Sequence, residues 1–226
     1  MTDLATKTDL ATRTGAPRLR ADATRNRERI VAAAQEAFVE FGAEVALDEI
    51  ARRAGVGNAT LYRHFPDRRE LSRSVVLAVF DTMATQAETM LAEVPEAFDA
   101  LAQVVHGAVD GNVGALCPML AEWMDPGEPE LMAAQDRLDT AVEAIIAKAQ
   151  AEGSLRQDIG AGDILTVAAQ IARPLPGALP ADHNKSVHRS LQLFLDGLRA
   201  PARSVLPGRP TTLQDLRRDC AVRTDC

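Results

Sequence analysis

The 226-residue chain contains few aromatic residues, few cysteines and no long apolar run. Aromatic side chains account for 4% of the residues, and β-branched residues show no sustained alternation, which disfavours a sheet protein. Three cysteines fit a reducing compartment better than a disulfide-rich secreted domain. No apolar stretch approaches the roughly 20 residues that cross a bilayer, and the N-terminus lacks a secretory signal pattern. We therefore expect a cytoplasmic protein without a membrane partner.

Motifs for catalysis and metal binding are also scarce. The sequence has no Gly-Lys-Ser or Gly-Lys-Thr phosphate loop, and no carboxylate is positioned to orient His64 as a base. His183 and His188 do not share a helix face, and Cys220 and Cys226 have no partner that would support a metal or redox role. We expect no cofactor, no metal and no catalytic residue. A helical enzyme of unknown chemistry is only a remote alternative.

Charge is distributed unevenly along the chain. Residues 1–75 carry 13 basic and 11 acidic side chains, a net charge of +2, whereas residues 76–200 carry 7 and 18, a net charge of −11. Only the N-terminal part is therefore suited to approach a polyanion. The acidic part is typical of a solvated protein surface.

Apolar residues recur at helical spacing through most of the chain, which predicts an all-α protein of about nine helices. The predicted helices cover residues 22–42, 47–54, 58–65, 67–92, 95–111, 113–124, 128–152, 161–173 and 183–199. Pro95 is expected to be the first residue of the fifth helix. We expect residues 1–20 to be disordered and residues 201–226 to be a flexible tail.

The second and third predicted helices form a helix-turn-helix pattern. Gly55 ends the first of them, where a left-handed backbone conformation is needed and glycine adopts it without strain. Leu61 and Phe65 are four residues apart, so they predict a buried face on the second helix. Its remaining face carries amide, hydroxyl and basic groups, which suit base edges and phosphates. Alternative interpretations of this stretch are a phosphate loop, an active site or a solvated helix face.

Residues 25–73 resemble the tetracycline-repressor (TetR) family through three words: "RIVAAAQEAFVEFG", "LDEIARRAGV" and "TLYRHFPDRREL". The resemblance implies a three-helix DNA-binding domain, here residues 21–66, followed by a helical effector-binding and dimerisation domain, residues 67–200. Two positions depart from the family pattern. Val45-Ala46 stands where the family usually has a capping Thr or Ser, and Gly57 replaces a common serine before the recognition helix.

The resemblance also implies roles for individual residues. Thr60, Tyr62 and His64 would hold the DNA backbone, and Asn58 and Ala59 would contact bases. Arg63 would do either. The flanking phosphates would be contacted by Arg25 and Arg68, and Arg27, Arg29 and Arg69 lie close enough in sequence to border the same surface.

Two further sets of residues are candidates for sites in the body. Ordinary core is the favoured interpretation of any single residue in the apolar and methionine-rich set, and the functional interpretation of the whole set is a cavity for a mainly apolar small effector. It comprises Phe80, Met83, Phe98, Met119 and Trp123. The apolar faces of the last two helices predict a homodimer interface. That set comprises Ile164, Ala168, Ile171, Val187, Leu191, Phe194 and Leu198.

Taken together, these features predict a DNA-binding transcriptional regulator. The family resemblance favours a homodimeric repressor that a small effector releases from a palindromic operator in double-stranded DNA. The alternatives are a DNA-binding activator and a regulator that needs no ligand.

Overall fold

The computed structural model describes residues 15–120, 123, 125, 127–173 and 180–216, and over this part of the chain the protein is all-α with nine helices. The helices are α1 Gly15–Phe41, α2 Leu47–Ala54, α3 Asn58–His64, α4 Arg68–Glu93, α5 Ala97–Asp110, α6 Val113–Leu120, α7 Pro129–Ala151, α8 Ala161–Ile171 and α9 Pro180–Leu198. The fold class predicted from periodicity is confirmed. Within the described residues, no helix is long and apolar enough to cross a membrane.

The N-terminal three helices form a small domain, here called the head. Gly55 has φ of 64°, and its N–H caps the end of α2 at the carbonyl groups of Ala51 and Arg52. This left-handed residue turns the chain directly into α3. Leu61 and Phe65 then lie fully buried against α1 and α2. The helix-turn-helix geometry follows from one glycine and two apolar residues spaced four apart.

The two helices of the recognition motif lack side-chain caps, as their N-cap residue types predict. Ala46 is the N-cap of α2 and Gly57 is the N-cap of α3, and neither makes a side-chain capping bond. By contrast, the Asp67 side chain accepts a hydrogen bond of 2.8 Å from the backbone N–H of Glu70 at the start of α4. The beginning of α4 is therefore better fixed than the beginning of either recognition-motif helix.

The remaining helices form the body, in which α4 packs against both α5 and α7. Arg137 of α7 reaches across to α4 and pairs with Asp81 at 2.5 Å and with Glu88 at 2.7 Å. Arg73 of α4 pairs with Glu128 and Glu130 at the start of α7. These bridges raise the pKa of both arginines, and they fix the register of the two long helices.

Head and body are joined through α4. The Arg27 side chain in α1 donates to Ser74 Oγ at 2.8 Å, and its guanidinium lies 4.9 Å from the centre of the Phe65 ring. Arg68 donates to the backbone carbonyl groups of Ala43 and Val45, the latter at 2.7 Å. A movement of the first turns of α4 is therefore transmitted to the turn that precedes α2.

Element boundaries differ from the sequence predictions at three places. Helix α1 begins at Gly15, inside the segment expected to be disordered. Helix α5 begins at Ala97, two residues after Pro95. Residues 1–14 and 217–226 lie outside the described residues, and with them Cys220 and Cys226.

Residues 201–216 were expected to be part of a flexible tail, but they pack against the α7–α8 connection. Leu213 is buried, and Thr211 O accepts a hydrogen bond of 3.0 Å from Gly162 N. A Cβ atom on Gly162 would lie 2.7 Å from that carbonyl oxygen, so glycine permits the close approach. Arg156 donates to Ser204 O at 2.8 Å and so holds the beginning of the segment. These contacts join residues that are about 48 positions apart in the sequence, so a local sequence pattern cannot predict them.

Candidate nucleic-acid interface

Helix α3 presents one buried and one exposed face. Leu61 lies fully inside the head, whereas Asn58, Ala59 and Arg63 are exposed. Tyr62 keeps 49% of its surface accessible although it is a large aromatic residue. Thr60 and His64 are half-buried at the edges of this face. The six residues implied by the resemblance therefore lie together on one accessible side of the head.

Apart from Asn58, whose amide donates to Asp48 Oδ1 at 2.8 Å, the polar groups of this face make few internal hydrogen bonds. Arg63 donates to Thr60 Oγ1 over 3.5 Å, a long and weak bond. The hydroxyl of Tyr62 has no hydrogen-bond partner among the described residues. The tyrosine can therefore bind a phosphate oxygen without first breaking another bond, and the arginine has only one weak internal bond to give up.

The flanking arginines divide into two groups. Arg25 is exposed, and its ion pair with Asp22, at 2.9 Å on the protein surface, holds it only weakly. Arg68 is half-buried, and its side chain donates internal hydrogen bonds to the α1–α2 turn; the phosphate contact implied by the resemblance stays a prediction. Its neighbour Arg69 is exposed and makes no ion pair within the described part of the head. Arg69 is therefore the arginine at the start of α4 whose side chain is accessible to a partner outside the protein.

Both arginines of α2 are neutralised by carboxylates. The Arg52 guanidinium donates to Glu49 at 2.7 Å and lowers the pKa of that carboxyl group. Arg53 pairs with Glu40 at 2.5 Å. Among the described residues, the exposed arginines near the helix-turn-helix without an ion pair are Arg63 on α3, Arg69 in the first turn of α4 and Arg29 of α1, which donates to Gly55 O.

Comparison with known proteins agrees with this geometry. Residues 30–75 match the family described as "Bacterial regulatory proteins, tetR family", and residues 96–200 match "Transcriptional regulator SbtR-like, C-terminal domain". The crystal structure of the TetR transcriptional regulator SCO0520 from Streptomyces coelicolor is 32% identical, with a TM-score of 0.61 over 78% of this chain and 99% of that chain. The chain belongs to the TetR family. It is a DNA-binding transcriptional regulator, and the relatives that establish this are regulators and not enzymes.

Two further relatives show where similarity is concentrated within the family. The HTH-type transcriptional regulator SAB2452 of Staphylococcus aureus is 41% identical over 69 residues, which are 30% of this chain and 37% of that protein. The chain thus matches little more than a third of the length of this curated relative. The TetR-like regulator LfrR from Mycobacterium smegmatis, solved in complex with proflavine, shares the fold at 24% identity, with a TM-score of 0.54 over 76% of this chain and 96% of that chain.

The five effector candidates lie in the body, with different degrees of burial. Met83 and Phe98 are buried in the core, whereas Phe80, Met119 and Trp123 are half-buried around it. A groove of about 530 Å³ lies elsewhere, between α1 and the turn that follows α5, and none of the five lines it. Trp123 Nε1 is nevertheless buried without a hydrogen-bond partner in the described structure. A buried donor of this kind is costly unless a partner satisfies it.

The residues expected at a dimer interface are mostly inside the single chain. Leu191 is fully buried, and Ile164, Ala168, Val187 and Leu198 are each at most 6% exposed. They therefore pack α8 and α9 against the rest of the body. Because they are already buried in the single chain, a partner chain would bury little more of their surface.

Other apolar residues of the same two helices are accessible to a partner. Ile171 and Phe194 are half-buried. Leu165 is 37% exposed and Leu193 is 66% exposed, and neither was singled out from the sequence. Leu193 lies on the opposite side of α9 from the buried Leu191 and Leu195, which is a signal that the helical spacing contains, whereas Leu165 lies close to the buried side of α8 and has no such signal.

The structure also contains a histidine pair that was not predicted from the sequence. His106 Nδ1 lies 2.8 Å from His188 Nδ1, and His188 Nε2 lies 2.9 Å from Asp110 Oδ1. The two rings are stacked with their centres 5.0 Å apart. This chain of bonds joins α9 to the C-terminal end of α5, and its members are too distant in sequence for a local pattern to reveal it. Over the described residues, no cluster of ligating side chains suits a metal ion.

Proposed function

We propose that this regulator is a homodimeric repressor that binds a palindromic operator through α3. The observation that carries the proposal is the exposed face of α3, where Tyr62 and Arg63 have few internal partners while Leu61 anchors the helix beneath them. A recognition helix lies in the major groove, and a two-fold dimer presents two such helices to adjacent turns of the duplex.

Different residues on this face contact the bases and the backbone of the DNA. Asn58 and Ala59 lie at the N-terminal end of α3, which is the end that contacts base edges in helix-turn-helix proteins. Thr60, Tyr62 and His64 contact the backbone, and Arg63 contacts a phosphate or a base. Arg25 and Arg69 extend the contact to the flanking phosphates. Backbone contacts position the protein, and base contacts select the sequence.

The dimer is supported by apolar surface that a single chain leaves accessible. Leu165 and Leu193 are exposed on α8 and α9, and two-fold pairing of these helices would bury them. Single exposed leucines are common on protein surfaces, but two on neighbouring helices favour an interface.

The effector is a small, mainly apolar molecule that binds among α4 to α7. Trp123 supports this site because its buried Nε1–H has no partner among the described residues, so an acceptor on the effector would satisfy this donor. The similarity to LfrR, solved with proflavine, is consistent with such a ligand. Release of DNA requires the effector to bind more tightly to the state in which the two heads are wrongly spaced. Arg68 provides the link, since its side chain holds the turn before α2 and lies 5.9 Å from the Trp123 ring.

A mobility-shift experiment with the promoter region adjacent to the coding gene tests the proposal. Tyr62→Ala and His64→Ala should weaken operator binding without loss of helicity. Tyr62 is neutral, so the dependence of affinity on salt should keep its slope, whereas loss of a charged contact lowers the slope by about one unit. Wild-type affinity in both variants would show that α3 is not the DNA-binding helix. A transcription assay on the same promoter separates a repressor from an activator.

A further inference from the structure

Asp48 and Asn58 meet at the DNA-facing end of the head. Asp48 is the second residue of α2, and Asn58 is the first residue of α3. The Asn58 amide donates from Nδ2 to Asp48 Oδ1 over 2.8 Å, and both side chains are exposed. An exposed carboxylate beside a DNA-binding helix repels phosphate and so weakens general affinity for DNA. Any benefit of Asp48 to DNA binding must therefore come from its effect on which bases the protein prefers.

The hydrogen bond decides how the Asn58 amide is turned. A carboxylate only accepts hydrogen bonds, whereas an amide has a donating and an accepting end. The Nδ2 end therefore faces Asp48. One N–H is used in this bond, and the second N–H and the Oδ1 oxygen remain for another partner. The free edge of Asn58 thus offers one donor and one acceptor in a fixed order.

We propose that Asp48 is a positioning residue that holds Asn58 for the recognition of adenine. In the major groove, adenine presents the N7 acceptor beside the N6–H donor, which matches the free edge of the amide. Guanine presents two acceptors, N7 and O6, so Asn58 Oδ1 would face another oxygen. The inference rests on the proposed function, in which Asn58 contacts a base.

A purely electrostatic role for Asp48 makes a different prediction. Removal of a negative charge near DNA would then raise affinity for every sequence by the same factor and leave the preference between bases unchanged. Glu44 offers a matched control, because it is an exposed carboxylate of the same domain with no partner among the described residues. The ratio of affinities for adenine and guanine operators therefore separates positioning from charge.

The experiment begins with duplexes that the wild-type protein selects from a randomised pool. The base read by Asn58 is the position whose preference disappears in Asn58→Ala, and we expect an adenine there. Loss of a good bidentate contact should lower the adenine-to-guanine preference by roughly 5- to 100-fold. The same ratio is then measured by competition for Asp48→Ala, Asp48→Asn and Glu44→Ala, each checked for unchanged helicity by circular dichroism.

Asp48→Ala should lower the adenine-to-guanine ratio by about 2- to 6-fold, since a released amide samples two flipped orientations and about three χ1 wells. Asp48→Asn keeps an acceptor but loses the charge, so it should restore part of the ratio. Glu44→Ala should leave the ratio unchanged. An unaltered ratio in Asp48→Ala, or a base other than adenine at the Asn58 position, would overturn the inference. If the wild-type protein shows no sequence preference at all, the proposed function fails as well, and the two failures are thus distinguished.

Discussion

Leu193→Glu is the substitution that best separates the dimer interface from the core of the body. Leu193 is 66% exposed in the single chain, whereas Leu191, two residues earlier on α9, is fully buried. The two residues therefore lie on opposite sides of the helix. A charge at position 193 leaves the packing of the single chain intact, but it becomes buried without a partner when two chains associate.

The exposed fraction of Leu193 sets the expected magnitude. Complete burial of a leucine side chain contributes about 1.5–3 kcal/mol, so burial of the accessible two-thirds contributes about 1–2 kcal/mol per chain. Both chains of a two-fold dimer lose this term, which makes about 2–4 kcal/mol in total. The dimer dissociation constant should rise roughly 30- to 700-fold, because about 1.4 kcal/mol corresponds to a factor of ten. Burial of two unpaired carboxylates adds to this effect.

Sedimentation velocity over a concentration series measures the change. Met132→Glu is the matched control, since Met132 is 47% exposed on α7, outside the proposed interface, and it should leave association unchanged. Leu191→Glu should unfold the chain instead of producing a folded monomer. If Leu193→Glu keeps the dissociation constant of the wild-type dimer while remaining folded, then α9 does not pair around this residue and the interface must be sought elsewhere.

Two further predictions concern the head and the C-terminal segment. Gly55→Ala should destabilise the protein by about 1–2 kcal/mol, because its φ of 64° strains a residue with a Cβ atom. Gly57 has ordinary backbone angles and open space around the Cβ position, so Gly57→Ser should stabilise the protein by a few tenths of a kcal/mol (~0.3) through a new N-cap bond. Urea denaturation measures both changes, and a tolerated Gly55→Ala would contradict the turn geometry. The Arg156 guanidinium lowers the pKa of Asp158 from 3.8 to about 2, so the carboxylate contributes stability above pH 3.8 that is lost as the pH falls towards 2. Asp158→Asn should therefore lower the melting temperature near neutral pH and flatten its decline in acid, and an unchanged acid profile would show that this ion pair does not stabilise the segment.

Local sequence patterns determined the helices and the recognition motif. A helical stripe repeats every three or four residues, and the reversal at Gly55 needs only one backbone conformation, so both can be read within a short window. The absence of side-chain caps at Ala46 and Gly57 follows from the residue types alone. The exposed face of α3 was predictable for the same reason, because Leu61 and Phe65 define which side of that helix is buried.

Tertiary structure alone decided which partner each side chain meets. An apolar stripe indicates that a residue will be buried, but it does not distinguish burial within one chain from burial against a second, and only the structure shows that Leu191 is fully buried inside the single chain. Arg68 carries the same charge as Arg69, yet the approach of the α1–α2 turn supplies carbonyl groups only to the former. His106 and His188 are brought together from different helices by packing. Such contacts depend on how distant elements are stacked, and no periodicity within a single element contains that information.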